Sequence, residues 1–330
     1  MNARQSAIHK GWPDLQKKQT SGILAALSSA LLLGLAPVFG KLAISQGFSP
    51  FAVVALRTSL AAGALLLIVL IFSRPSLYIF PVALLGCFLA GTINGLGSLL
   101  YYLALERLNA SVGQLLYSLY PFFVAIWLSL DHQSPSRLTI FRIGLATIAV
   151  LLLTSAPESS SDAIGVFMMI GAAALYALHL PINQRVLYEV PAPTVTLYTL
   201  LSMTVVVVPV YLFLDSQWPS HNPPWPPVLG LTLVTFLSRL TLFLGIKKIG
   251  GMQTALLGLS ELLITLLFSH YWLNENLTLL QWLGAFGLGL SLILVKYEKF
   301  SPPHYTGKGG WLSWIRPPGI PKDVLGPPFE

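Results

Sequence analysis

The stretch QTALLGLSELLITLLFSHYW, residues 253–272, surrounds a single carboxylate, Glu261, with hydrocarbon. An acid in so apolar a run can do two kinds of chemistry. Alone, it can take up and release a proton as water reaches it, as intramembrane carboxylates do in coupled transport. Paired, it can neutralise a cation equally far from water. Arg239, in LSRLTLFLGIKKIG, is the candidate partner. At about 1.5 Å per residue it lies about 10 Å from the turn KKIGGM, and Glu261 about 13 Å from the same turn. A charge at the centre of a bilayer costs about 2.5–3.5 kcal/mol on insertion scales, and pairing is the usual remedy. An Arg239–Glu261 ion pair is therefore expected. Such a pair serves either to fix two helices or to line a cavity. A carboxylate locked to a guanidinium carries protons poorly, so the tightness of the pair decides its use.

The other candidates are polar side chains in apolar runs. Arg57, about 10 Å into its run, can snorkel to the interface. Alternatively, it can join Arg239 in attracting the acidic group of an organic anion or zwitterion. Lys41 lies near the end of its run and can also snorkel. His179, in ALYALHLPINQR, is either a polar contact between helices or a substrate or proton contact. Asn94 sits among Gly91, Gly95 and Gly97, and small residues allow close helix approach. Tyr101, Tyr102, Tyr117, Tyr120 and Tyr176 can give a cavity polar edges. Trp218, Trp225 and Trp272 fall near run ends and suit an interface. The single cysteine, Cys87, excludes an internal disulfide and a cysteine-based metal site. The six histidines are scattered, so no metal centre, catalytic residue or cofactor is expected.

These residues need elements to hold them, and composition says which. Of 330 residues, 55% are hydrophobic and 9% charged, with mean hydropathy +0.73. Soluble domains carry about a quarter charged residues, so this chain is a polytopic membrane protein. The net charge of +7 comes from loops and tails without a basic face, which argues against a nucleic-acid partner. A membrane span needs about 20 apolar residues. Ten runs qualify: about 22–45, 50–72, 79–104, 111–130, 138–154, 163–187, 193–214, 226–246, 252–273 and 279–297, the fifth being short. The first run is too long for a signal-peptide core and reads as a retained span. Residues 1–21 form a polar N-terminal segment. Residues 298–330, rich in Pro and Gly, read as a flexible tail whose GGWLSWIR could touch the membrane surface. Placing both termini in the cytoplasm puts Arg74, Arg137, Arg185, Lys247, Lys248 and the tail cations inside and leaves Arg107 outside.

The chain also repeats. LALERLNASVGQLLYSLYPFFVAIWL (103–128) parallels FLGIKKIGGMQTALLGLSELLITLLF (243–268), and RLTIFRIGLATIAVLLL parallels NLTLLQWLGAFGLGLSLIL. Tyr120 falls over Glu261 and Ser98 over Arg239. Both positions are charged in the second half and neutral in the first, as a salt bridge would produce. The reading is an all-α membrane protein of ten transmembrane helices in two five-helix repeats, 22–154 and 163–297. Five is odd, so the halves are inverted, an architecture suited to rocking about a shared site.

The chain resembles the drug/metabolite transporter superfamily in its ten-span EamA-like branch, over about residues 22–297. The segments that carry this are SPFAVVALRTSLAAGALLL with Arg57, SLYPFFVAIWL with RLTIFRIG, and GLSELLITLLF with NENLTLLQWLGA. Glu261 matches the family's helix glutamate and Asn274-Glu275 its acidic turn. Tyr120 stands where the family often has Glu, and Leu262 where Pro often follows. The resemblance implies export or exchange of a small polar metabolite by alternating access, in the plasma (inner) membrane. An organic-anion or phosphorylated-metabolite exchanger using the intramembrane arginines is the alternative. A proton is the candidate coupling ion and a homodimer the candidate assembly. No GxxxxGK[ST] stretch is present, which argues against ATP-driven pumping. The acids and histidines form no cluster, which argues against a membrane-embedded lipid enzyme. A non-transporting membrane subunit has only the tail in its favour.

Overall fold

The computed structural model describes residues 3–131, 135–154, 162–215, 224–273, 278–297 and 310–315. Trp218, the Asn274-Glu275 turn and most of the tail lie outside them. The described residues hold no strand. The helices are α1 (Ala3–Ser45), α2 (Pro50–Phe72), α3 (Pro81–Arg107), α4 (Ala110–Tyr117), α5 (Tyr120–Leu130), α6 (Arg137–Thr154), α7 (Ala163–Leu187), α8 (Ala192–Leu214), α9 (Pro226–Ile249), α10 (Gly251–Gly258), α11 (Ser260–Leu273) and α12 (Leu279–Ile293). Helix starts follow local rules. Ser49 caps α2 by accepting from Ala52 N at 3.1 Å, and Pro50 fills the first helical position, where an N–H is not needed.

Counting α4–α5 and α10–α11 as one stretch each, eight helical stretches among the described residues are long and apolar enough to cross a membrane. The fifth and tenth expected spans are the shorter helices α6, of 18 residues, and α12, of 15. Packing pairs α1 with α9 and α3 with α7, and α1 with α11 and α7 with α5. It also pairs α2 with α9 and α8 with α3, α2 with α8, and α6 with α12. Exchanging each helix for its counterpart in the other half leaves this list of partners unchanged.

The broken helices follow the same correspondence. Pro121 has no N–H to return to Tyr117, so the chain tightens there and Leu119 N bonds Leu116 O at 3.2 Å. In the second half Leu259 N turns to Leu256 O at 3.4 Å, which leaves the Ala255 carbonyl without its helical donor. The Tyr120 hydroxyl supplies one, donating to Ala255 O at 2.9 Å. It comes so close to the Gly258 Cα that no Cβ would fit. The first break thus docks on the second.

Two ends of the bundle can be named by their residues. At the Lys41 end, Lys41 Nζ donates to the carbonyls of Leu105 (2.7 Å) and Leu108 (2.8 Å), capping α3. Arg107 pairs there with Asp162 at 2.6 Å, holding the Asp162 carboxyl below the usual carboxylate range. At the Arg185 end, Arg185 is no loop cation. It is buried, and its Nη2 meets Asp131 Oδ2 at 2.7 Å. Within the stretch expected to be a flexible tail, residues 310–315 pack against this end of the protein, with Leu312 and Ile315 buried.

Gly258→Ala should drive Tyr120 from its seat and cost about 1–3 kcal/mol. Tyr120→Phe, which removes only the hydroxyl, should cost about 1 kcal/mol. Melting of the detergent-solubilised protein ranks the two.

A cavity between the halves holding arginines and a carboxylate

The helix spacing that buries Arg57 and Arg239 also decides what they touch. Arg57 Nη1 donates to Thr235 Oγ1 and Nη2 to Ser98 Oγ, each at 3.1 Å, and the guanidinium lies over the Tyr102 ring, 4.9 Å from its centroid. Thr235 belongs to α9 and Ser98 to α3, so Arg57 of α2 ties the two halves. Neutral hydroxyls and a ring face can hold a cation away from water without cancelling its charge.

Arg239 is held the same way. The Asn94 amide oxygen accepts from Nη2 at 3.3 Å, and a half-turn of the amide brings its oxygen to 3.0 and 3.1 Å from Nη2 and Nη1. His179 Nε2 lies 3.3 Å from Nη1. His179 Nδ1 faces the Tyr176 carbonyl. A carbonyl only accepts, so Nδ1 carries the hydrogen and Nε2 is left to accept from the guanidinium. The Tyr176 ring covers the cation with its centroid 5.5 Å away.

The expected Arg239–Glu261 ion pair is not formed. Among the described residues, Arg107 pairs with Asp162 and Arg185 with Asp131. Arg239 and Glu261 line one cavity from neighbouring spans, but a shared cavity does not fix which partner a side chain turns to. Asn94, His179 and Tyr176, from α3 and α7, take the guanidinium instead. Glu261 is buried, and its Oε1 has no hydrogen-bond partner. The break at Leu259 puts it in the first turn of α11, where the helix dipole favours an anion. Gly34 of α1 lets α11 approach: a Cβ there would lie 2.6 Å from Glu261 O.

Arg57, Tyr101, Arg239 and Glu261 line one cavity, with Ser98, Gln114 and Tyr117 among the other lining residues. It holds about 460 Å³ of space free of atoms, part of it open. Tyr101 donates to Gln114 Oε1 at 3.1 Å. Asn94 and His179 stand behind Arg239. Tyr120 lies beneath the cavity, against Tyr117 and Tyr176. Arg57, Tyr101 and Gln114 all sit toward the Lys41 ends of their helices. The Arg185 half below is filled by a cluster including Val124, Ile182, Val186 and Phe243. Gln114 was not singled out from the sequence, although an amide inside ASVGQLLYSLY was the available signal. Arg142 was also missed. It is fully buried, with Nε donating to Ser291 O at 3.1 Å and Nη1 to Gln253 Oε1 at 3.3 Å, and so fastens α6 to α12.

A charge swap separates the two accounts of Arg239. Arg239→Glu combined with Glu261→Arg should be no more stable than the worse single variant, because Asn94 and His179 cannot serve an acid as they serve a guanidinium. Asn94→Leu should cost about 1–3 kcal/mol by stranding a buried donor, more than Glu261→Gln. Melting of the five variants decides, and recovery in the double swap would restore the ion pair.

Comparison with known proteins finds relatives over both halves of the chain. A family profile described as EamA-like transporter family matches residues 20–155 and again 163–297. The uncharacterized transporter sll1319 of Synechocystis sp. is 27% identical over 68% of this chain and 68% of its own length. The uncharacterized transporter YcbK of Bacillus subtilis is 23% identical over 88% of this chain and 96% of its own. A crystal structure superposes with a TM-score of 0.66 at 16% identity, covering 84% of this chain and 97% of that one, a likeness of fold.

Proposed function

Because the chain belongs to the EamA-like transporter family, and is thus a multi-pass membrane transporter and not an enzyme, we propose that it moves a small polar metabolite by alternating access. The two halves rock as inverted five-span repeats, with α6 and α12 as the fifth and tenth spans and both termini in the cytoplasm of a plasma-membrane protein. The observation that carries this reading is the cavity shared by the halves. The first contributes Arg57, Tyr101 and Gln114, and the second Tyr176, Arg239 and Glu261. Arg57 and Arg239 bind the acidic group of the substrate. Their other contacts are neutral, so their charge is available to it.

Glu261 is the proton carrier in this reading. A carboxylate clamped by Arg239 would hold its charge throughout the cycle. One left without a counter-ion can exchange a proton as the cavity wets and dries. The organic-anion exchanger remains the second reading, favoured by two guanidiniums facing the cavity against one carboxylate.

Proteoliposomes test both. Flux of a substrate found by thermal-shift screening of amino acids, nucleosides, sugar phosphates and organic anions should rise with an imposed pH gradient. Glu261→Gln should abolish that rise while leaving substrate exchange. Arg57→Ala and Arg239→Ala should weaken binding by about tenfold or more, as expected when a charge-assisted contact of about 1.4 kcal/mol or more is lost. Exchange indifferent to pH and to Glu261→Gln selects the anion exchanger. Inert vesicles across the whole panel would reject transport of these classes.

A further inference from the structure

At the Arg185 end, Asp131, just past the end of α5, and Arg185 of α7 bridge the two halves, with Nη2 at 2.7 Å and Nε at 3.1 Å from the same carboxylate oxygen. The other oxygen of Asp131 accepts from the backbone N–H of Leu312 at 3.3 Å. Gly310 passes so near that a Cβ there would lie 2.9 Å from the Asp131 Cα, closer than real contacts allow. Trp311 donates its indole N–H to the Trp127 carbonyl at 3.3 Å, and the two rings sit 6.3 Å apart. Leu312 and Ile315 join the cluster that fills this half of the bundle. Ile315 reaches Gly86 of α3: a Cβ at Gly86 would lie 3.6 Å from its Cδ1 and 2.8 Å from Val186 Cγ2.

Six residues from beyond the last helix therefore lie against α3 and the end of α5 and join an apolar cluster that α7 also lines, on the seam where the halves meet. Their anchor is not a surface patch but a buried ion pair made by one side chain from each half. Opening this end requires that pair to part or turn. The backbone N–H of Leu312 and the side chains of Leu312 and Ile315 hold its surroundings in the closed arrangement. We propose that residues 310–315 are an intramolecular latch that keeps the Arg185 end shut and biases the transporter toward the state entered from the Lys41 end. This rests on the rocking-halves reading above.

The chain supplies its own reporter. Cys87, the single cysteine, is fully buried on α3 beside Gly86. In the full chain in lipid vesicles, N-ethylmaleimide should label Cys87 about tenfold faster in Leu312→Asp and in a deletion of 310–330. A tenfold change corresponds to about 1.4 kcal/mol, which the loss of the buried Leu312 side chain alone can supply. At the opposite end the change should be reversed. Leu33→Cys, placed in the cavity in a Cys87→Ser background, should react more slowly once the latch is removed. An unchanged Cys87 rate in both tail variants overturns the latch. Faster labelling at both Cys87 and Leu33→Cys overturns it too, since that is a loosened fold and not a shift between two states. These rates need no substrate, so a failed latch and a failed transport reading are told apart.

Discussion

A guanidinium inside an apolar bundle must find acceptors, and the way Arg239 finds them governs the site. Asn94, His179 and the Tyr176 ring satisfy it without an anion. Burying an opposed charge pair would have satisfied Arg239 equally well, but the result would be electrically closed. Neutral acceptors take the guanidinium's hydrogen bonds, and Glu261 faces the same space without forming an ion pair. Arg57 repeats the solution with Thr235, Ser98 and Tyr102. The outcome is a pocket lined by two guanidiniums held by neutral partners and by one carboxyl group outside any ion pair.

The helix breaks make this arrangement possible. A continuous helix would put Glu261 amid its own turns, where no terminal dipole favours an anion. The break at Leu259 gives it a first-turn position and exposes the Ala255 carbonyl, which Tyr120 from the other half then caps. The break before Tyr120 follows from Pro121. The break at Leu259 has no proline, and it coincides with Gly258, whose missing side chain leaves room for the Tyr120 ring to enter. The contact is local in each half and still couples the two.

The buried Asp131–Arg185 pair at the opposite end obeys a different economy. There a full ion pair is used, buried on both sides. A buried pair costs desolvation and is worth keeping mainly where it specifies an arrangement. This one joins a side chain just past the end of α5 to an α7 side chain at the seam. The contrast is between a cavity whose guanidiniums keep neutral partners and a seam closed by an ion pair.

The sequence by itself determined the apolar runs, the internal correspondence of the halves and the depth of each charged residue. Those are set by composition and by the fixed rise of a helix. It identified Arg57, Asn94, His179, Arg239 and Glu261 because a polar group in hydrocarbon is conspicuous in one dimension. It did not decide partners. Arg239 and Glu261 share a depth, yet pairing depends on rotation about each helix and on what neighbouring helices offer. Arg185 and Asp131 looked like loop charges because they fall at run ends, where the alphabet cannot tell a wet residue from one covered by another segment. Only the tertiary structure brought Leu312 to Asp131, since a contact across 181 residues of separation is fixed by packing and not by any local pattern.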